Sequence, residues 1–458
     1  MSNCGASFQW RKYTYVCFIS LVRRCFINMS SYLLRNLSFA DESSGDMLIS
    51  GGVISEISQK GLSATGVDVI DCEGMMALPG FVDLHTHLRE PGREDSETIE
   101  TGARAAALGG FTAIHAMANT NPVADTAGVV EQVFRLGREA GWCEVRPVGA
   151  VTVGLAGERL AELRAMSSSA ASVRLFSDDG KCVSDPLLMR RALEYVKAFD
   201  GVIAQHAQDP RLTIDSQMNE SAVSSLLGLT GWPAVAEESI ISRDVLLAQH
   251  TDSRLHICHV STAGSVEVIR WAKSKGIKVT AEVTPHHLLL TDELVTSYDA
   301  RYKVNPPLRT REDVQSLRLA LADGTIDAIA TDHAPLPNED KDCEWSQAAF
   351  GMIGLQSAFS VITTALIDTG LMTWAQVSDR MSKRPAKIAG LRDQGQDLVI
   401  GSKANIVVVN SNIRQKFSLM KNASKSTNSP FLDMELRGAV MHTFYQGRLK
   451  VRSGELCR

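Results

Sequence analysis

The feature that most constrains the fold is an alternation of short apolar strands with amphipathic helical stretches between residues 80 and 395. This alternation is typical of parallel βα units. Eight such repeats in sequence predict an α/β fold with a closed (β/α)8 TIM-type barrel, whose chemistry lies at the C-terminal ends of its strands. The eight predicted strands are 81–87, 112–119, 144–152, 173–179, 201–207, 254–260, 278–284 and 327–333.

The two ends of the chain carry a different pattern. Short strands separated by turns fill residues 29–78, and a matching pattern returns over residues 396–458. These two segments predict one small β-sandwich satellite domain formed by both termini. In the sequence they flank a barrel domain at residues 79–395. Residues 1–28 are interpreted as a non-core N-terminal extension, because their apolar run at 17–22 is too short to cross a bilayer.

Composition narrows the classes of function. With 458 residues, 44% of them hydrophobic, and a formal net charge of −5, the chain has the composition of an enzyme and no basic stripe for nucleic acid. The sequence contains no run of about 20 apolar residues, so we expect no membrane-embedded segment. Nine cysteines are scattered without a C-x-x-C pair, which disfavours a zinc ribbon and a disulfide framework. We therefore expect a cytoplasmic protein that acts on a small molecule.

The first predicted strand ends in two histidines that face the same way. Residues 81–92 read Phe-Val-Asp-Leu-His-Thr-His-Leu-Arg-Glu-Pro-Gly. Side chains at i and i+2 of an extended strand point to one face, so His85 and His87 are able to aim their imidazoles at one point. The final Pro-Gly pair closes the strand. This pattern predicts half of a metal site, although an isolated His-x-His pair is equally typical of two structural histidines.

Ionisable residues also stand at the ends of four other predicted strands. They are Asp178 and Asp179 on the fourth strand, His206 on the fifth, His259 on the sixth and Asp332 on the eighth. Each of them alone is more typical of a structural residue, but in a barrel all of them converge on one rim. Four imidazoles and two carboxylates suit Zn²⁺ and are too many for a single tetrahedral ion. The sequence therefore predicts a binuclear site with two Zn²⁺ ions and a bridging carboxylate.

Four longer motifs resemble those of a known family. They are PGFVDLHTHLREPG at 79–92, FSDDG at 176–180, YKVNPPLR at 302–309 and ATDHAP at 330–335. From about residue 31 to 450 the chain resembles the dihydroorotases of the amidohydrolase superfamily, in the bacterial branch related to the dihydroorotase domain of multifunctional pyrimidine enzymes. The resemblance implies a metal-dependent barrel with a β-sandwich satellite built from both termini.

The resemblance also implies roles for the residues at the strand ends. The terminal metal ligands that it implies are His85, His87, His206, His259 and Asp332. Of the two neighbouring aspartates, Asp179 matches the bridging carboxylate, where many relatives carry a carboxylated lysine. Because side chains alternate along a strand, Asp178 is expected to point away from the metal ions.

The implied reaction is the reversible cyclisation of N-carbamoyl-L-aspartate to L-dihydroorotate in de novo pyrimidine biosynthesis. Opening the dihydroorotate ring needs a stronger nucleophile than water, and coordination to a metal lowers the pKa of bound water to about 7. Asp332 is expected to accept the proton of that water and to deliver it to the leaving nitrogen.

The carboxylate of the substrate requires a cation. Arg89, just beyond the metal histidines, is expected to bind it with two parallel hydrogen bonds. Asn119 and Asn305 offer donors and acceptors to the ring amides, although Asn305 is also typical of a turn cap. The resemblance adds the backbones of two residues after the eighth strand. The full predicted set of substrate contacts is His87, Arg89, Asn119, Asn305, Phe350 and Gly351.

Other functions remain open from the sequence. Allantoinase and hydantoinase share the fold and the ring-opening chemistry, although Arg89 and Asn305 favour a substrate with a carboxylate. A non-catalytic subunit that holds aspartate transcarbamoylase together is a further alternative, but such chains are expected to lack the metal ligands. A homodimer or a complex with the transcarbamoylase is compatible with either function.

One departure from the family pattern falls inside the expected active site. Leu336 follows an Ala-Pro pair at a position where relatives typically carry a histidine that contacts the substrate. Loss of that contact is expected to cost about 1 to 3 kcal/mol of binding unless another group replaces it. Lys341 and Trp345, in the polar loop 337–349, are the candidate replacements. The hypothesis is a working enzyme with a rearranged carboxylate contact.

Overall fold

The computed structural model describes residues 31–457, and the predicted extension at residues 1–28 lies outside the described residues. The strands in chain order are β1 (Tyr32–Phe39), β2 (Ser44–Ser50), β3 (Val53–Ser58), β4 (Asp68–Asp71), β5 (Met76–Pro79), β6 (Phe81–Thr86), β7 (Phe111–Ala116), β8 (Glu144–Pro147), β9 (Leu175–Phe176), β10 (Val202–Gln205), β11 (Met218–Asn219), β12 (Gly231–Trp232), β13 (Arg254–Ile257), β14 (Val279–Val283), β15 (Ala328–Ile329), β16 (Ile406–Lys416), β17 (Glu435–Tyr445), β18 (Arg448–Arg452) and β19 (Glu455–Leu456).

The helices mostly follow barrel strands. They are α1 (Ile99–Leu108), α2 (Ala127–Ala140), α3 (Leu163–Ser168), α4 (Pro186–Lys197), α5 (Ala222–Leu227), α6 (Val235–Thr251), α7 (Ala263–Ser274), α8 (Arg311–Asp323), α9 (Ala358–Ile362), α10 (Trp374–Ser378) and α11 (Arg384–Ala389). Wider turns at Thr363–Ile367 and Asp379–Lys383 extend α9 and α10. Short 3₁₀ turns lie at Val153–Leu155, His286–Leu288, Asp292–Ser297, Ala300–Tyr302, Asn338–Asp340, Leu419–Lys421 and Pro430–Asp433.

Local sequence explains where several helices begin and end. Before α4, the Asp185 carboxylate accepts a hydrogen bond from the backbone N–H of Leu188, and Pro186 occupies the first helical position, where no N–H partner is lost. Thr310 caps α8 by accepting from Asp313 N–H. Gly141 ends α2 with φ 67°, a left-handed conformation that glycine adopts without strain.

Eight parallel strands form the ring of the barrel. One run pairs in the order β6-β7-β8, and the other in the order β9-β10-β13-β14-β15. Single parallel bridges join the two runs at both seams, between Gly149 and Phe176 and between Thr86 and His333. The predicted (β/α)8 barrel is therefore confirmed, with strands shorter than the sequence pattern predicted.

The two ends of the chain form one sheet. Its strand order is β19-β18-β17-β16-β5-β1-β2-β3, with β4 beside β1. The halves join where β16 pairs antiparallel with β5, with Ile406 opposite Pro79. Buried apolar side chains, among them Leu34, Met47 and Phe444, form a separate core for this sheet. The satellite predicted from both termini is thus present, while the exact domain boundaries remain a prediction.

The connection between β16 and β17 leaves this sheet. Residues 417–434, called the strap below, extend from the sheet to the loops that follow the barrel strands. Asn428 contacts the backbone beyond β15, and Ser426 contacts the backbone at Ser96, between β6 and α1. The satellite sheet therefore contributes residues to the functional rim of the barrel.

Candidate metal and substrate site

The ends of five barrel strands bring the six predicted ligands into one cluster, in which the Asp179 carboxylate lies among the four imidazoles. Oδ1 of Asp179 lies 3.2 Å from both Nδ1 of His206 and Nε2 of His259, and 3.3 Å from Nε2 of His85. Its other oxygen, Oδ2, lies 3.3 Å from Nε2 of His87. Asp179 therefore lies at the centre of the four imidazoles.

Asp332 lies beside His85 and His87. Its Oδ1 is 3.1 Å from Nε2 of His87 and 3.5 Å from Nε2 of His85. Burial raises the pKa of this carboxyl, but the facing imidazoles outweigh burial and hold the pKa below its usual range. The Asp332 carboxylate beside these histidines is therefore ionised at neutral pH.

The cluster is almost fully removed from solvent. Each of the six side chains belongs to a residue that is at most 7% exposed. Burial raises the pKa of Asp179 as well, but His85, His206 and His259 hold it well below the usual range. A buried ionised carboxylate surrounded by imidazole nitrogens requires positive charge nearby, which either protons or metal ions supply.

The arrangement fits metal ions. Ligand atoms about 2.0 to 2.1 Å from a tetrahedral zinc ion lie about 3.3 Å from one another. Most of the nitrogen–oxygen distances around Asp179 and Asp332 are close to this spacing. Nε2 of His85 is buried and has no hydrogen-bond partner among the described residues. Unpartnered imidazole nitrogen and carboxylate oxygen are the donor set of a metal site.

Arg89, His259 and Asp332, all at the candidate site, have left-handed backbones. The φ angles are 61° at Arg89, 32° at His259 and 48° at Asp332. Residues other than glycine are strained in this region, and such strain persists only where the surrounding structure holds it. The strain coincides with two of the metal-ligand candidates and with the candidate carboxylate-binding arginine.

Asp178 points away from the cluster, in agreement with the alternation of side chains. Its Oδ1 accepts hydrogen bonds from the backbone N–H groups of Val151 and Thr152, at 2.8 and 2.9 Å. Its Oδ2 accepts from the Thr152 hydroxyl. Asp178 therefore ties the end of β9 to the loop after β8, and only Asp179 faces the imidazoles.

An outer layer of side chains orients the histidines, and the sequence analysis missed its main member. Glu282 Oε1 lies 2.9 Å from His85 Nδ1, and Oε2 lies 3.0 Å from His256 Nε2. Both of its oxygens therefore contact imidazoles, which is the arrangement of a carboxylate that orients histidine ligands. The sequence did contain a signal for this role, because Glu282 is a carboxylate inside the otherwise uncharged strand at residues 279–283. Asn119 and Gln208 bind His87 and His206 in the same way, at 2.9 and 2.7 Å.

Arg89 lies beside the cluster, as predicted for a carboxylate-binding residue. Burial and the neighbouring charge of Arg93 lower its pKa to about 10, so the guanidinium stays charged at neutral pH. Its Nε donates to the carbonyl of Pro335 at 3.0 Å. This contact orients the fork of the guanidinium, and within residues 31–457 its two terminal nitrogens have no hydrogen-bond partner and can bind a ligand.

The other predicted substrate contacts have partners within the protein. Asn305 Nδ2 donates to Gln208 at 3.1 Å, whereas its Oδ1 is buried without a partner among residues 31–457. Gly351 N–H donates to Lys303 O at 2.9 Å. Its carbonyl accepts from Asn428 at 3.2 Å and keeps a second lone pair. Phe350 places its ring 4.7 Å from Lys303 Nζ.

In the loop after β15, Lys341, one of the two candidate replacements for the missing histidine, is already hydrogen-bonded within the protein. Lys341 Nζ donates to the carbonyls of Ala300 and Lys303, at 2.8 and 2.9 Å. Trp345 Nε1 is buried and without a partner among the described residues. Leu336 is buried at the end of the Asp332 segment. In this structure, the hypothesis that Lys341 replaces the imidazole has no support.

Known proteins resemble this chain over most of its length. A family model described as "Dihydro-orotase-like" matches residues 74–265. A dihydroorotase of Leifsonia xyli subsp. xyli is 63% identical over 93% of this chain and 97% of its own length. One of Streptomyces coelicolor is 61% identical over 93% of this chain and its full length.

The chain belongs to the dihydroorotase family.

Solved structures place this dihydroorotase family member among cyclic amidohydrolases. An L-hydantoinase from Arthrobacter aurescens matches with a TM-score of 0.83 and 25% identity, over 94% of this chain and 98% of the other. A dihydropyrimidinase from Brevibacillus agri matches with a TM-score of 0.78 and 22% identity, over 93% and 96% of the two chains, and therefore shows the fold alone. Within residues 31–457, no helix is long and apolar enough to span a membrane.

Proposed function

We propose that this chain is a catalytically active dihydroorotase that interconverts N-carbamoyl-L-aspartate and L-dihydroorotate in pyrimidine biosynthesis. The observation that carries the proposal is the intact cluster of four imidazoles and two carboxylates, with Asp179 at its centre, in a chain 61–63% identical to curated dihydroorotases. A non-catalytic subunit would have no need to keep six buried, mutually facing ionisable groups.

The proposed cofactor is a pair of Zn²⁺ ions. Two groups of residues support this cofactor, because the ligand atoms within each group lie within 4.8 Å of one another. The first group is His85, His87 and Asp179, and the second is Asp179, His206 and His259. Because Asp179 belongs to both groups, we assign it as the bridge and Asp332 as a further ligand beside the first group. When bound, such ions activate water and polarise the carbonyl that is attacked.

The residues of the chain then bind and orient the substrate. Arg89 is proposed to hold the substrate carboxylate through its terminal nitrogens, while the free lone pairs of Asn305 Oδ1 and the Gly351 carbonyl accept ring N–H groups. We assign Asn119 to the orientation of His87, itself a proposed substrate contact, and place the Phe350 backbone beside the ring. These contacts fix the ring with its reacting amide toward Asp332.

Asp332 is the proposed proton carrier. In the hydrolytic direction the oxygen of water bonds to the ring carbonyl carbon, and Asp332 takes the proton that the water loses. The carbon–nitrogen bond of the ring then breaks, and the same proton passes to the departing nitrogen. The reverse sequence closes the ring and releases water.

The proposal is tested by assaying the purified protein with dihydroorotate, hydantoin and allantoin in parallel, together with metal analysis. We expect a clear preference for dihydroorotate and about two zinc ions per chain. Preference for hydantoin or allantoin would overturn the assignment. The fold shared with hydantoinases does not by itself favour that activity, because hydantoins have no carboxylate for Arg89 to bind.

Assembly and location are finer proposals. A homodimer, or a complex with aspartate transcarbamoylase, is tested by measuring the mass of the protein in solution with and without the transcarbamoylase. Cytoplasmic location is tested by fractionation.

We also propose that the chain divides into three parts, namely a satellite domain of residues 29–78 and 396–458, a barrel domain of residues 79–395 and an extension of residues 1–28.

A further inference from the structure

The strap contains a short polar segment that is buried. Residues 424–429 read Ser-Lys-Ser-Thr-Asn-Ser, yet Ser424, Ser426 and Asn428 are at most 7% exposed. Burying polar side chains costs free energy unless they form hydrogen bonds. The partners of these side chains lie on the loops around the candidate active site.

Asn428 uses both ends of its amide. Its Nδ2 donates to the carbonyls of Ala334 and Gly351, at 2.9 and 3.2 Å, and its Oδ1 accepts from the N–H of Leu336 at 3.3 Å. Its backbone carbonyl accepts from Ile353 N–H at 3.1 Å. One buried side chain therefore joins two separate segments of the loop after β15.

These two segments lie in close contact beside the proposed substrate position. A Cβ atom on Gly351, whose φ is 133°, would lie 2.9 Å from Cβ of Ala334, so only glycine fits there. Ala334 N–H donates to Met352 O at 2.9 Å. The first segment follows directly from Asp332, and the second contains the Gly351 carbonyl proposed to accept from the substrate ring.

A second anchor ties the strap to the loop after β6. The Glu97 carboxylate, which is fully buried, accepts from Lys425 N–H at 3.1 Å and from the Ser424 hydroxyl. Its Oε2 also lies 3.3 Å from His333 Nε2. The Ser426 hydroxyl donates to Ser96 O at 2.8 Å. The strap is thus held against the loop after β6, which contains Arg89.

We propose that Asn428 is a positioning residue for this reaction, through which the satellite domain sets the place of the Gly351 carbonyl at the substrate by holding it against the backbone of Ala334 and Leu336. The inference rests on the proposed function. An amide suits this role because its two N–H groups match two carbonyl oxygens and its oxygen matches one N–H group. A carboxylate of the same shape would face the two carbonyls with negative charge and without a donor.

The test compares three substitutions at this position, Asn428→Asp, Asn428→Ala and Asn428→Ser, with the matched control Asn422→Ala. Asn422 lies on the same strap, but its Nδ2 donates only within the strap, to the carbonyls of Ser424 and Ser426. The measurements are kcat and KM for dihydroorotate, bound metal, and hydrogen exchange of residues 350–353.

We expect Asn428→Asp to raise KM at least about tenfold and Asn428→Ala by less, with bound metal retained, because a misplaced contact weakens substrate binding. Asn428→Ser, which keeps a small donor and acceptor, should be intermediate and carries the test if the aspartate variant does not fold. Exchange at residues 350–353 should accelerate in all three variants, and Asn422→Ala should leave KM and exchange near their original values.

Unchanged KM and exchange in the Asn428 variants would overturn the proposal, as would an equal effect of Asn422→Ala. Failure of the proposed function is distinguishable, because the unmodified protein would then not act on dihydroorotate at all. In that case the hydrogen exchange of residues 350–353 still decides whether Asn428 positions the loop.

Discussion

The carboxylate of Glu282 lies 2.9 Å from Nδ1 of His85 and thereby directs the opposite ring nitrogen, Nε2, toward Asp179. Burial raises the pKa of Glu282, but hydrogen bonds from His256 and His85 outweigh burial and lower the pKa to about 2. The carboxylate is therefore ionised at all working pH values, and it favours the ring orientation that a metal ligand needs.

Replacing this carboxylate should weaken metal binding without removing a ligand. For Glu282→Gln we expect an affinity for zinc lower by about 10- to 100-fold, the usual effect of losing such a partner. Titration with a competing chelator measures it. Glu267→Gln, an exposed site on α7, is the control. Unchanged affinity in the Glu282 variant would place the carboxylate outside the metal site.

The two neighbouring aspartates should separate metal binding from stability. Asp179→Asn removes the central charge of the cluster, so we expect loss of bound metal and a fall in turnover of at least about 100-fold, with the barrel still folded. Asp178→Asn disturbs three hydrogen bonds to residues 151 and 152, so we expect a lower melting temperature with metal retained. Metal analysis and thermal unfolding distinguish the two, and the opposite pattern would exchange their roles.

Arg89 should act on substrate binding and not on metal content. Removal of a charge-assisted pair of hydrogen bonds costs about 1.5 to 3 kcal/mol, so Arg89→Met should raise KM by about 10- to 150-fold. Arg93→Met is the matched control, because Arg93 is half-exposed and pairs with Asp340 at 3.3 Å. Steady-state kinetics and metal analysis of both variants show whether Arg89 acts on substrate binding or on metal content. Loss of metal in the Arg89 variant would contradict the assigned role.

The loop 337–350 should close more firmly as the pH rises above 7. Burial and the charge of Lys303 lower the pKa of Lys341 to about 7, and a neutral amine has two N–H groups for its two carbonyl partners. In the open loop Lys341 keeps its proton until about pH 10.4, so from about pH 7 to 10 the closed state binds fewer protons and gains stability.

Hydrogen exchange of residues 337–350, corrected for the intrinsic dependence on pH, measures this effect. Protection should be greater at pH 8.5 than at pH 6.5. Lys341→Met should abolish the dependence, because it has no proton to lose. Greater protection at the lower pH would show that the charged amine is the form bound to Ala300 and Lys303.

Several features were predictable from the sequence because they depend on local geometry. His85 and His87 face one point because strand side chains repeat every two residues, and the same period separates Asp179 from Asp178. Eight βα repeats also placed each candidate ligand at a strand end, and the C-terminal ends of parallel strands meet at one rim. The lengths of the strands were overestimated, because the apolar pattern of side chains continues beyond the last backbone hydrogen bond of each strand.

The tertiary structure alone decided which distant residues support the site. Glu282 and His85 are 197 positions apart, and Asn428 lies 94 positions from the Ala334 carbonyl that it binds. An asparagine in a polar segment is typical of an exposed turn, so only its burial reveals its role. Periodicity along a chain determines which face of an element a side chain occupies. Which elements then meet depends on packing of the whole core, and this packing brings Glu282 to His85 and Asn428 to Gly351.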